Sequence, residues 1–209
     1  MKNYAALNTT FKYQQMTLMN KRIMIQDLID RTELLQEAVQ KFFRLDEEEI
    51  NFRPTAGKWS IAEIFDHLNI THEIYIKNIF DRIDEAPASD DQDYHSGWLG
   101  DWIYEKILPR QDGTVYKFKT PKMLHPQQGV LDGHSVLKRF LRQINDIQHI
   151  LENSYNLNLE KTRIPFPFSR LISLRLGDSF RFMIAHCERH LLQANKVRDQ
   201  LQNRKAIAV

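Results

Sequence analysis

A single cysteine, Cys187, means that no disulfide can form within this 209-residue chain. That suits a reducing compartment. Seven prolines and seven glycines are too few to punctuate many short strands, so helices are favoured. Lys and Arg number 29 against 27 Asp and Glu, a formal charge of +2. No basic run or face stands out, so a nucleic-acid partner is not expected. No apolar run approaches the ~18 residues that span a bilayer, so no membrane partner is expected. The opening Met1–Thr10 lacks the continuous apolar segment of a signal peptide. The expectation is a soluble, cytoplasmic protein.

What is present is enough apolar material, 42% of residues, to build a core. A chain of this length buries roughly 70% of its unfolded surface, so one domain over residues 1–209 is expected. Ile25, Leu28, Leu35, Val39 and Phe42 recur at helical spacing through residues 21–44. Residues 1–20 either extend this helix or form a loose arm. The acidic Asp46–Glu49 ends the helix or opens a connection.

A second helix has a clear beginning. Ser60 with Glu63 makes a capping box, and Trp59 with Ile64 a hydrophobic staple; apolar residues then continue to about Asp84. From there to about residue 131 prolines and glycines interrupt the pattern. This stretch reads as an irregular insertion or lid, with Trp98, Trp102, Ile103 and Ile107 on a short helix and Val115–Lys119 extended. Helical period returns over residues 132–154, with Asp132 as a cap, and again from about Leu176 to Gln202. Pro165–Phe168 cannot be helix interior. The predicted fold class is all-α: a four-helix bundle with an irregular insertion between the second and third long helices.

His186 and His190 carry the most chemical information. Four residues apart on one helix, their imidazoles project from one stripe about 6 Å apart, within reach of one divalent ion. Two ligands make a weak site. His67, two turns into the second helix and flanked by core-like residues, is the leading third. Three histidines leave one tetrahedral position open, which is the pattern of catalytic zinc. The alternative is that the same histidines are ordinary hydrogen-bonding core residues. His72, His95, His125, His134 and His149 are expected on the surface or in loops. Ser179, Met183 and Gln193 share the stripe of His186 and His190, and Thr71 that of His67, so these four are expected to line a pocket. Glu63 is the one carboxylate phased beside His67 and hence the candidate general base, although its capping role is the stronger reading. Glu188 should face away from His186. Asp66 and Arg189 suit surface positions or ion pairs between helices, Cys187 suits a small packed hydrophobe, and Trp98–Trp102 suits either a cover over substrate or simple core covering.

Lys58–Leu68, with its tryptophan-serine and histidine-leucine pairs, resembles a characteristic segment of the DinB-like (YfiT-like) superfamily. Leu176–Gln193 resembles that family's closing histidine-x-x-x-histidine helix, and the order and separation also match. The resemblance covers residues 22–202. It implies a four-helix bundle holding zinc or nickel through His67, His186 and His190, often as a homodimer. It further implies a thiol S-transferase using bacillithiol or another low-molecular-weight thiol, or a metal-dependent hydrolase, acting on a small-molecule substrate. The alternative is a non-catalytic metal-binding or dimerising bundle of the stress response. Members differ most in the insertion, so the resemblance names no substrate.

Overall fold

The computed structural model describes residues 18–110, 114–167 and 169–207. Most of the arm expected over residues 1–20 lies outside these; its end, Leu18–Asn20, is a short strand, β1. Asn20 then caps α1 (Lys21–Gln40), accepting from the Ile23 amide, and a 3-10 turn over Lys41–Arg44 continues it. As expected, Asp46–Glu49 lies past the end of that helix, in the connection to the next long one. Asp46 and Glu49 make their own capping box and start the short α2 (Glu47–Ile50). α3 (Ile61–Ile83) begins at the Ser60–Glu63 capping box, as the sequence predicts.

α5 (Gly133–Glu152) is capped by Asp132, and α6 spans Leu176–Ile207. α1 and α3 each pack against both α5 and α6, so the four long helices form a bundle with α1 and α3 on one diagonal. Ile25, Leu28, Val39, Phe65, Leu68, Phe140, Ile144, Phe180 and Ile184 are almost fully buried between them. Among the described residues no helix is long and apolar enough to cross a membrane.

The insertion carries more structure than its broken pattern suggests. β2 (Asp93–His95) pairs antiparallel with β1, and α4 (Trp98–Ile107) lies on α6 with Ile103, Tyr104 and Ile107 facing inward. Val115–Lys119 belongs to no strand. Asp178, near the start of α6, fastens the insertion: its carboxylate accepts from the Tyr94 hydroxyl at 2.7 Å and the Gly97 amide at 2.9 Å. α4 can approach this closely because residue 100 is glycine. A Cβ there would lie 2.2 Å from Asp178 Cγ. Trp98 and Trp102 are 81% and 50% exposed, so neither serves as core covering.

A hairpin that the helical pattern does not reveal joins α5 to α6. β3 (Arg163–Phe166) pairs antiparallel with β4 (Ser169–Arg175), which runs directly into α6. The prolines of this stretch exclude helix, as expected; the strand pairing is the addition. Phe168, the last residue of the expected Pro165–Phe168 break, lies outside the described residues.

α6 is tied to α1 by a buried ion pair. Arg31 donates through Nε and Nη2 to both oxygens of Glu188, each at 2.7 Å. Glu188 does face away from the histidine stripe, but toward α1 rather than solvent. Glu188→Ala should lower stability by roughly 3–5 kcal/mol, because it leaves a guanidinium desolvated without its main counter-ion. Urea unfolding checks this; a loss below about 1 kcal/mol, the level of a surface pair, would contradict it.

Candidate metal centre

The bundle brings three histidines of two helices to one point. His67 stands two turns into α3, whose start is fixed by the Ser60–Glu63 box. His186 and His190 stand on consecutive turns of α6. All are nearly buried, at 3%, 7% and 8% exposure. His186 Nε2 lies 3.4 Å from His67 Nε2 and 3.1 Å from His190 Nε2. One ligand atom from each ring lies within 4.8 Å of the others. A tetrahedral ion with Zn–N bonds of about 2.0–2.1 Å sets its nitrogens roughly 3.3–3.4 Å apart, so the two separations from His186 Nε2 are those of ligands around a shared cation.

The outer hydrogen bonds point the same way. His67 Nδ1 donates to the Leu124 carbonyl at 2.7 Å, and His190 Nδ1 donates to Gln193 Oε1 at 3.0 Å. Each places the proton on Nδ1 and leaves an Nε2 lone pair facing the centre. A proton on His186 Nε2 can serve one of those lone pairs and leaves the other opposed by nothing. A cation between the three satisfies all of them at once. His186 Nδ1 has no hydrogen-bond partner among the described residues. Its ring is instead held by Phe182, stacked at 5.4 Å with an interplanar angle of 12°.

Burial holds all three imidazoles below their ordinary pKa, His186 and His190 well below it. Mutual proximity adds to this at His186 and His190, and His125 adds to it at His67, whereas the Leu124 and Gln193 contacts oppose it. The rings are therefore neutral near pH 7, the form that binds metal. Trp59 walls the cluster, its ring centroid 5.0 Å from that of His67 and 6.4 Å from that of His190. No carboxylate, cysteine or fourth histidine completes the group among the described residues, so three donors leave one tetrahedral vertex to a further ligand.

The other expected site residues are placed as follows. Glu63 keeps its capping role: Oε2 accepts from the Ser60 amide, and Arg53 donates to both oxygens at 2.6 and 2.8 Å. Gln193 is the outer partner of His190. Thr71 Oγ1 donates back to the His67 carbonyl, and Ser179 Oγ to the Arg175 carbonyl. Met183 is buried on the ligand-bearing helix.

His72 requires a correction. It is fully buried, not at the surface. Five residues beyond His67 it does turn away from the centre, but α3 packs against both α5 and α6, so its other flank is core as well. His72 stacks on Phe140 and lies 3.1 Å from Cys187 Sγ. Burial pushes its pKa down to about 3 and the Cys187 thiol well up, so a neutral thiol and a neutral ring share this contact. This pair is packing, not an activated nucleophile. Asp66 is likewise buried and makes no ion pair among the described residues; it accepts from the Gln127 amide at 2.8 Å. Arg189 reaches the Tyr116 carbonyl at 2.5 Å. His95, His125 and His149 are exposed and His134 is half-exposed.

Two features of the centre had little or no signal in the sequence. The Leu124 acceptor is a backbone atom, which any residue supplies. Trp59 has a visible signal, but it reads as one half of a staple rather than as a wall of the site.

Comparison with known proteins agrees with this geometry. The model of the DinB superfamily matches residues 31–194, a span that includes all three histidines. The uncharacterized protein YuaE of Bacillus subtilis (strain 168) is 26% identical over 160 residues, covering 76% of this chain and 88% of that protein. No solved structure matches the chain.

Proposed function

This chain belongs to the DinB superfamily, and on that footing we propose a metal-dependent enzyme: a thiol S-transferase or hydrolase in which His67, His186 and His190 hold one zinc or nickel ion. One observation carries the reading. Three buried Nε2 atoms converge, and two of them are fixed as lone-pair donors by carbonyl acceptors on the far side of their rings. A bound divalent ion would supply Lewis acidity at the open vertex, lowering the pKa of water there to about 7 and deprotonating a thiol outright.

The chain's own residues provide the remainder. Leu124 and Gln193 orient two ligand rings, while Trp59 and Phe182 wall the cluster with apolar surface and limit water. Met183 lies toward the pocket in this reading, and Thr71, Ser179 and Gln193 support the ligand helices. Glu63 is left as a helix cap, since Arg53 and the Ser60 amide occupy its oxygens. The co-substrate is a low-molecular-weight thiol of the bacillithiol type, or water, acting on a small electrophile. A cytoplasmic setting, where such thiols stay reduced, fits. A homodimer completes the reading, and sedimentation tests it separately.

Elemental analysis of protein purified without a histidine tag tests the core of the proposal. The expected result is near-stoichiometric zinc or nickel, with thiol conjugation or ester hydrolysis that a chelator abolishes. Protein that is folded, metal-free and unable to take up either ion would overturn it. Bound metal with no turnover on any thiol or ester would favour a non-catalytic binding protein.

A further inference from the structure

The turn over residues 121–127 touches α3 at two consecutive residues. A 3-10 helix, Lys122–Leu124, brings Leu124 inward until its side chain is 2% exposed. The Leu124 carbonyl accepts from His67 Nδ1. Three residues on, the Gln127 amide donates to Asp66 Oδ2 at 2.8 Å. Asp66 is itself 2% exposed, and no other hydrogen bond to its carboxylate is seen among the described residues. A nearly buried carboxylate that accepts from a single loop amide makes a charge-assisted bond that fixes the loop against α3. What that position sets is the carbonyl orienting His67. Upstream, the same segment is held by Arg189, the neighbour of His190, through the Tyr116 carbonyl.

We propose that Asp66 is a positioning residue for the metal centre, acting through the 124–127 turn on the tautomer and ring orientation of His67. This rests on the three-histidine reading above. Asp66 clamps Gln127, the clamp places the Leu124 carbonyl, and that carbonyl holds the His67 proton on Nδ1 so that Nε2 faces the cation. Linkage makes the relation reciprocal: if the turn raises metal affinity, metal binding must order the turn.

Metal affinity and amide exchange test this together, using Zn2+ and Ni2+ alone as probes. In the wild-type protein, saturating metal should slow exchange of the Leu124, His125 and Gln127 amides. Asp66→Ala should abolish that protection and weaken binding roughly 10- to 100-fold, the usual cost of losing an outer partner. Asp66→Asn keeps an acceptor oxygen and should recover most of the affinity. Because Asp66 is buried, Gln127→Pro supplies a second variant: it deletes the donor at an exposed position and should reproduce the loss with no change in α3 or α6 exchange. Wild-type affinity in both Asp66→Ala and Gln127→Pro overturns the inference while leaving the metal site standing. Failure of wild-type protein to bind either ion overturns the site itself, and the inference with it.

Discussion

Replacing His186 by alanine is expected to strip the protein of its metal. His186 Nε2 is the shared neighbour of the other two ligand nitrogens, at 3.4 and 3.1 Å. Without it His67 and His190 remain on separate helices with no third donor, and two imidazoles make a weak site. The loss in affinity should exceed the roughly 10- to 100-fold cost of removing an outer partner. Thermal unfolding gives an independent readout. A metal present at about 1,000 times its Kd stabilises the folded state by about 4 kcal/mol, and the variant should lose that increment. In chelator the two proteins should differ far less than in metal. His149→Ala, at an exposed ring on α5, is the control and should bind as wild type. Retention of stoichiometric, tight metal by His186→Ala would mean that the ion sits elsewhere.

The metal-free protein should be acid-labile. His67, His72, His186 and His190 all have pKa values lowered in the folded state, chiefly by burial. In the unfolded chain they return to about 6.5. Below that pH the unfolded state binds more protons, so folding stability rises with pH across the window. Their contribution is complete above about pH 6.5 and is lost as pH falls through that value toward the folded pKa, about 3 for His72. Each such group contributes up to about 1.4 kcal/mol per pH unit. Burial raises the carboxyls of Asp178 and Glu188, so their protonation offsets part of the loss further into acid. Urea unfolding in chelator between pH 7.5 and 5 measures the slope. His72→Leu removes one titrating group outside the metal cluster and should lower the slope by about one proton. A flat profile would show that these rings are not held neutral by the fold.

Much of this architecture was legible because its helices announce themselves. Ser60 and Glu63 mark the start of α3, Asp132 that of α5, and the spacing of His186 and His190 requires a helix to bring them together. His67 is legible for the same reason, since its phase on α3 follows from a well-defined cap. What escaped was whatever depends on the neighbours of a helix. His72 is buried because α5 and α6 cover both flanks of α3, which phase on α3 alone cannot reveal. Asp66 and Arg189 make backbone contacts with the insertion, and charge pattern suggests ion pairs instead. The β3–β4 hairpin hid beside prolines that exclude helix without announcing strand.

Cys187 gives the protein a built-in reporter of its own opening. Its thiol is fully buried, in contact with His72 between α3 and α6. A thiol-modifying reagent should therefore leave the folded protein untouched and react once per molecule when the bundle parts. Because this sulfur stands beside His186, the rate of labelling measures how often the ligand-bearing helix comes free, and metal that bridges α3 and α6 should slow it without a probe being introduced.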